Sequence, residues 1–394
     1  MKNRLRLPPK GKLTMENRGR NRKEILAELR LILGKDAKYE DGKILCSMCT
    51  NPQPIAKIAH QMCLCSNLGD SGLFPGSRRL EQDVVRKLAD LLNGKSGVGF
   101  IISGGTEANL LAILAARNWL DVSNPEIVLP KSAHFSFDKI CNLLRLKPIL
   151  AELDNTYRVI PESVEHCITD RTVAIVGTAG TAELGAVDPI GRLSEIALAH
   201  GIHLHVDAAL GGLVIPFLKP SERDALEFDF RLDGVKSITV DPHKMGMSTV
   251  PAGGILFRER AFLDNIKTET PYLSDETQYT FVGTRSAASI AATWAVFESL
   301  GREGFTKTVR RCMALTKLLA KNIETLGLKL VVQPTLNIVA FRTSNSKETA
   351  ETLQKRGWFI SYVPRLDCLR IVIMPHLRRQ HVQTFLTDLS KTAQ

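Results

Sequence analysis

From residue 97 onward, short apolar runs alternate with longer stretches of helical period. GVGFIIS is apolar and compact, and reads as a strand. TEANLLAILAARNWL returns an apolar residue every three or four positions, and reads as a helix. EIVLP, PILAEL, TVAIVGTAG, IHLHVDAA and KSITVDP follow as strands, with FDKICNLLRL, PESVEHCI and IGRLSEIALAHG as the helices among them. GGILFRE adds a seventh strand, and its short connection to KSITVDP favours an antiparallel neighbour. Strands alternating with helices predict an α/β fold, a mainly parallel seven-stranded sheet covered on both faces.

The flanks have a different rhythm. Residues 23–33 and 76–93 carry helical period. After residue 286, SAASIAATWAVFESLG opens a long helical region. LKLVVQ, LNIVAFRT, FISYV and CLRIVIMP then read as strands, interleaved with the helices ETAETLQKRG and RRQHVQTFLTDLSK, which predicts a small C-terminal α+β domain. The expected divisions are a basic, disordered tail at 1–22, an N-terminal arm and helix at 23–75, a large domain at 76–290 and a small domain at 291–394. A chain of 394 residues that is 44% hydrophobic suits one large and one smaller domain.

No apolar run approaches the roughly 20 residues that span a membrane, and no apolar segment follows the basic N-terminus as in a secretory signal. A soluble, cytoplasmic protein without a membrane partner is expected. The formal charge of +11 raises the question of nucleic acid, but MKNRLRLPPKGKLT alone holds five basic residues and no acid. The remaining excess reads as a solvated basic surface, and nucleic acid is not the expected partner. Eight cysteines are expected as reduced thiols. Cys46 and Cys49, with Cys63 and Cys65, have spacing suggestive of zinc or an iron–sulfur cluster. Cys63 and Cys65, however, continue a helical pattern, where positions i and i+2 point about 200° apart. No metal site is expected.

Ligand sites in such sheets lie beyond the carboxyl ends of the strands. After GFIIS come Gly105 and Thr106, opening a helix. The glycine lets the backbone turn, and free N–H groups at a helix start favour an anion such as phosphate. His134 follows the strand EIVLP, and its flat ring can stack on another ring. Asp207 ends IHLHV; a carboxylate there needs a partner, and a protonated ring nitrogen would serve. Small Ala208 and Ala209 leave room for a flat ring. SITVDP ends in His243 and Lys244. Burial there is expected to disfavour the ammonium and leave a usable amine. Phosphate seat, stacking ring, carboxylate and amine together are the parts of a pyridoxal 5'-phosphate site, with Lys244 as the Schiff-base lysine.

The chain resembles the group II amino acid decarboxylases, which are pyridoxal-phosphate enzymes of fold type I. The motifs that carry the resemblance run from about residue 23 to the C-terminus: NLGDSGLFPGSRRLE, SGGTEANL, AHFSF, GTAGTAELGAVDP, HVDAALGGLVIPFL, SITVDPHKMG, PYLSDETQ, GTRSA and LRIVIMPH. The resemblance implies that Lys244 binds the cofactor, Asp207 keeps its ring nitrogen protonated and His134 stacks on it. Gly105, Thr106 and His243 then match phosphate-side positions, and Thr178 and Ala209 line the ring. Thr284 matches a phosphate contact supplied by the neighbouring subunit of a homodimer. Arg370 matches the clamp on the substrate α-carboxylate, for which a planar guanidinium is suited. Tyr272 falls in a mobile loop whose tyrosine protonates Cα. The implied substrates are small amino acids: L-tyrosine, giving tyramine for methanofuran, and L-aspartate, giving β-alanine for coenzyme A. Arg78 and Arg79 are departures that are either surface charges or part of the side-chain pocket. Cys46 is a further departure. A sulfur-transfer enzyme acting on phosphoseryl-tRNA or cysteine, with the N-terminal cysteines as carriers, is the alternative.

Overall fold

A computed structural model describes Met15 and residues 17–392. The expected tail therefore lies outside the described residues through position 14. Two units divide the chain, Met1–Lys38 and Tyr39–Gln394. The first carries helix α1 (Arg22–Leu33), capped by the Asn21 side chain, which accepts from Lys23 N at 2.8 Å.

In the second unit, α2 (Pro54–Met62) and α3 (Pro75–Leu91) each begin on proline, whose missing N–H costs nothing in a first turn. Helix α2 ends at Met62, so Cys65 lies beyond it, and the expectation of a helix through both cysteines fails. Seven strands then build the main sheet: β1 (Val98–Ile102), β2 (Glu126–Pro130), β3 (Lys147–Ala151), β4 (Thr172–Thr178), β5 (His203–Asp207), β6 (Val235–Val240) and β7 (Gly253–Phe257). Their order is β1-β7-β6-β5-β4-β2-β3. β7 is antiparallel to both β1 and β6, and the other pairs are parallel. The central strands are buried on both faces, which is why they read as unbroken apolar runs. Helices α4 (Gly105–Leu120), α5 (Ser136–Leu144), α6 (Pro161–His166) and α7 (Ile190–His200) make the crossovers, and α8 (Pro220–Arg223) and α9 (Arg260–Asp264) are short.

A two-stranded ribbon, β8 (Thr268–Glu269) and β9 (Thr277–Gln278), precedes the long α10 (Ala288–Thr325). Gly301, at φ 54° and ψ −172°, kinks α10 in a conformation only glycine adopts readily. The last segment holds a second sheet, ordered β10 (Lys329–Leu330), β11 (Ile338–Arg342), β13 (Cys368–Val372), β12 (Ser361–Val363), with α11 (Ser346–Lys355) and α12 (Arg379–Ser390). Its edge strands are shorter than LKLVVQ and FISYV suggested, because an edge has ladder partners on one side only. Residues 43–45 run beside this sheet. Leu45 N donates to Phe359 O, and Val372 N donates to Leu45 O, both at 2.8 Å.

Candidate active site

Parallel register sets the site. Thr178 and Asp207 are level across β4 and β5, and Asp207 is level with Thr239 across β5 and β6. Asp207 is buried; its Oδ2 accepts from Asn109 Nδ2 at 3.0 Å and its Oδ1 from Ala209 N at 3.1 Å. Beyond β6 the chain turns, with Lys244 N donating to Asp241 O at 3.0 Å. That turn brings Lys244 Nζ to 2.9 Å from Asp241 Oδ2, and His243 Nε2 to 3.9 Å from the same oxygen.

The electrostatics of Lys244 correct the sequence reading. Burial does push its amine downward, but the carboxylates of Asp241 and Asp207 outweigh that, and the pKa is held above the ordinary lysine value. The lysine rests as an ammonium with a proton acceptor in contact.

Gly104, at φ 148°, turns the chain into α4. A Cβ on Gly253 would meet the Gly104 backbone at 2.3 Å, so the two backbones pass too closely for a side chain. A Cβ on Gly105 would stand 3.0 Å from Asp241 Oδ2, so this seat too is tight. His134 Nδ1 accepts from Ser136 N at 3.2 Å and lies 3.0 Å from Ser136 Oγ. Burial lowers its pKa and favours the neutral ring.

One cavity of about 340 Å³ collects Lys244, Asp207, His134, Gly105, Thr106, His243, Thr178 and Ala209. Larger hollows of about 410 and 730 Å³ lie elsewhere, but neither holds these groups. Three expected residues do not line the cavity. Tyr272, between β8 and β9, is 86% exposed. Thr284 is also exposed. Arg370, in β13, is 8% exposed, and its Nη1 donates to Cys46 O at 2.9 Å while its Nε has no partner among the described residues. Burial pushes the Arg370 pKa down to about 10. Cys46 is two residues from Met48, which does line the cavity, so this short segment connects the arginine to the site. Arg78 pairs with Asp275 at 3.0 Å and Arg79 with Asp83 at 3.8 Å; neither reaches the cavity.

Among the lining residues that the sequence did not nominate, Asp241, Asn109 and Glu107 are the ones with amide or carboxylate side chains. Asp241 carried a signal, three positions before Lys244 in a turn. Asn109 stands four residues past Gly105, one turn along α4. Glu107 Oε2 accepts from Ser103 N at 2.9 Å and Ser103 Oγ at 2.6 Å, while its Oε1 accepts from Val282 N at 3.3 Å, tying the chain beyond β9 to the cavity wall.

A parallel sheet with an amine, a carboxylate and a glycine seat at its strand ends is the architecture of a pyridoxal-phosphate enzyme. Residues 70–344 match the conserved domain of the pyridoxal-dependent decarboxylases, and the chain belongs to that family. A probable L-tyrosine/L-aspartate decarboxylase of Methanothermobacter thermautotrophicus is 50% identical over 353 residues, covering 89% of this chain and 97% of the relative. The L-aspartate decarboxylase of Thermococcus kodakarensis is 47% identical over 379 residues, covering 95% and 98%. Among solved structures, a sphingosine-1-phosphate lyase of Burkholderia pseudomallei superposes with a TM-score of 0.88 at 28% identity, over 96% of this chain and 92% of that one. The protein is a pyridoxal 5'-phosphate-dependent amino acid decarboxylase. The cavity fits that cofactor: Thr178 Oγ1 and Asp241 Oδ1 are buried polar atoms without partners among the described residues, beside an amine and a glycine-lined helix start. Among the described residues, no helix is long and apolar enough to cross a membrane.

Proposed function

We propose that this chain removes the α-carboxyl group of L-aspartate, L-tyrosine or both, leaving β-alanine or tyramine. The observation that carries the substrate is the naming of relatives that align over nearly the whole chain. When bound, pyridoxal phosphate supplies an electron sink for the pair released from the Cα–carboxylate bond. Lys244 would hold the cofactor through its amine, and Asp241, 2.9 Å from Nζ, positions that amine and favours its charged form. Asp207 keeps a proton on the ring nitrogen. His134 packs flat on the ring, with Thr178 and Ala209 bounding it. Gly105, Thr106 and His243 seat the phosphate. Arg370 receives the substrate carboxylate in a buried, low-dielectric place, where a charge-assisted pair is strong.

The proton that replaces carbon dioxide at Cα comes from Tyr272. Neither Tyr272 nor Thr284 lines the cavity of its own chain. This supports a homodimer in which each subunit lends these residues to its partner. Exposed Ile55, Ile58 and Met62 on α2 offer apolar area for such an interface. In this reading residues 76–290 carry the cofactor and residues 291–394 bring Arg370.

The test is carbon dioxide release from tyrosine, aspartate and glutamate measured side by side. Release from aspartate or tyrosine is expected. Release from glutamate alone, or sulfide from cysteine with no carbon dioxide from any of the three, would overturn the proposal.

A further inference from the structure

The geometry points to a buried donor relay, His203 to Ser237 to His205 to Asn109, that positions Asp207 and His134. It rests on the reading above, in which Asp207 and His134 face the cofactor.

Asn109 is the junction. It is 1% exposed, one turn into α4, and both ends of its amide are fully engaged. Its Nδ2 donates to Asp207 Oδ2 at 3.0 Å and to Ser136 Oγ at 3.3 Å. Its Oδ1 accepts from Thr239 Oγ1 at 2.7 Å and faces His205 Nε2 at 3.0 Å. Reversing the amide would aim a carbonyl oxygen at a carboxylate oxygen, so the orientation is forced.

The rest of the chain follows from that orientation. An amide oxygen only accepts, so His205 Nε2 carries the proton. His205 Nδ1 is then a lone pair, 2.8 Å from Ser237 Oγ, and the serine hydroxyl donates to it. The serine oxygen in turn accepts from His203 Nε2 at 2.8 Å. Every donor points toward Asp207. His203, His205 and Ser237 are all buried, and burial pushes both imidazoles down, His205 to about 4. Both rings are therefore neutral near pH 7, as the relay requires.

The second Asn109 hydrogen runs to the other side of the site. Ser136 Oγ lies 3.0 Å from His134 Nδ1, which also accepts from Ser136 N at 3.2 Å. His134 therefore carries its proton on Nε2. One side chain thus ties the stacking ring's serine partner and the carboxylate together, through Ser136 Oγ and Asp207 Oδ2. Successive bonds in such a chain polarise one another in a low dielectric, so distant links contribute. The titratable groups facing Asp207 are Lys244, His134 and His205.

The experiment has three readouts. Nitrogen-15 histidine spectra of the cofactor-free protein should show His203 and His205 as neutral Nε2–H tautomers through neutral pH; Nδ1–H on His205 overturns the relay. Asn109→Ala should weaken cofactor affinity roughly 10- to 100-fold, the effect of losing a bond to a charged group. Ser237→Ala, two links away and outside the cavity, should weaken it less but in the same direction. Both should also lower the pH at which the bound cofactor's visible band reports loss of the ring-nitrogen proton. A merely structural role would reduce thermal stability and leave affinity and pH profile unmoved. Asp207→Ala separates the two layers. If Asp207→Ala keeps wild-type affinity, the reading of Asp207 itself fails. If it loses affinity while folded Ser237→Ala and Asn109→Ala keep theirs, the relay alone is overturned.

Discussion

Asp241 and Lys244 are bound to each other, Oδ2 to Nζ at 2.9 Å, on the wall of the cofactor cavity. Two carboxylates, Asp241 and Asp207, hold the amine protonated against burial. Removing the nearer one lets burial prevail. Asp241→Asn should therefore lower the amine pKa, and cofactor capture by the cofactor-free protein should reach its maximal rate at lower pH. Because the folded pKa is raised, the pair's stabilisation is fully present below the unfolded value, ordinarily 10.5, and is lost only as pH rises through the folded value. The titration of Lys244 thus costs no stability at neutral pH. Stopped-flow capture measured across pH checks this; a profile identical to wild type would show that Asp241 does not control the lysine.

Tyr272→Phe should slow amine release far more than cofactor binding. A positioned acid typically contributes about 10²–10⁴-fold. Without the phenol proton, some product should be diverted to an aldehyde by protonation away from Cα. The amine-to-aldehyde ratio, measured alongside cofactor affinity, is the readout. Wild-type rate and ratio in the variant would move the proton donor to Lys244 or His134.

Thr284→Ala should weaken cofactor binding only where two subunits meet. Light scattering should find a dimer, and affinity should fall on dilution below its dissociation range. A fully active monomer would sink both the exchange of Thr284 and the lending of Tyr272.

Acid should destabilise the cofactor-free protein through its buried imidazoles. His205 falls from 6.5 to about 4 on folding, chiefly by burial. Its neutral-state stability is intact above 6.5 and is lost as pH falls through 4. One unit is about 1.4 kcal/mol, so the loss is on the order of 3 kcal/mol. His203 acts in the same direction. Asp188 opposes them: burial raises it to about 6, although it accepts from Val159 N and Thr178 N at 2.8 Å, so its contribution declines as pH rises from 3.8 through 6. Urea unfolding at stepped pH should show a shallower acid loss for His205→Gln. A wild-type slope in that variant would place the acid sensitivity elsewhere.

The alternation of apolar runs with helical period was enough to predict the α/β sheet, its seven strands and the antiparallel β7, because strands buried on both faces must be written in apolar residues. It was also enough to nominate Lys244, Asp207, His134, Gly105 and Thr106, since each lies at or within four residues of a strand's carboxyl end and parallel strands deliver those ends to one edge. The tertiary structure decided what the groups do to one another. The charge on Lys244 depends on a turn that folds Asp241 against it and on the register that brings Asp207 near, so burial read along the chain pointed the wrong way. Asn109 looked like one more polar residue in an apolar helix; only the packing of α4 across β5 and β6 makes it a junction for four partners. Arg370, Tyr272 and Thr284 come from segments whose distance from the cavity is set by long-range packing. Local periodicity reports which face of an element is buried. It carries no information on which buried groups meet, and hydrogen bonding and charge are decided by those meetings.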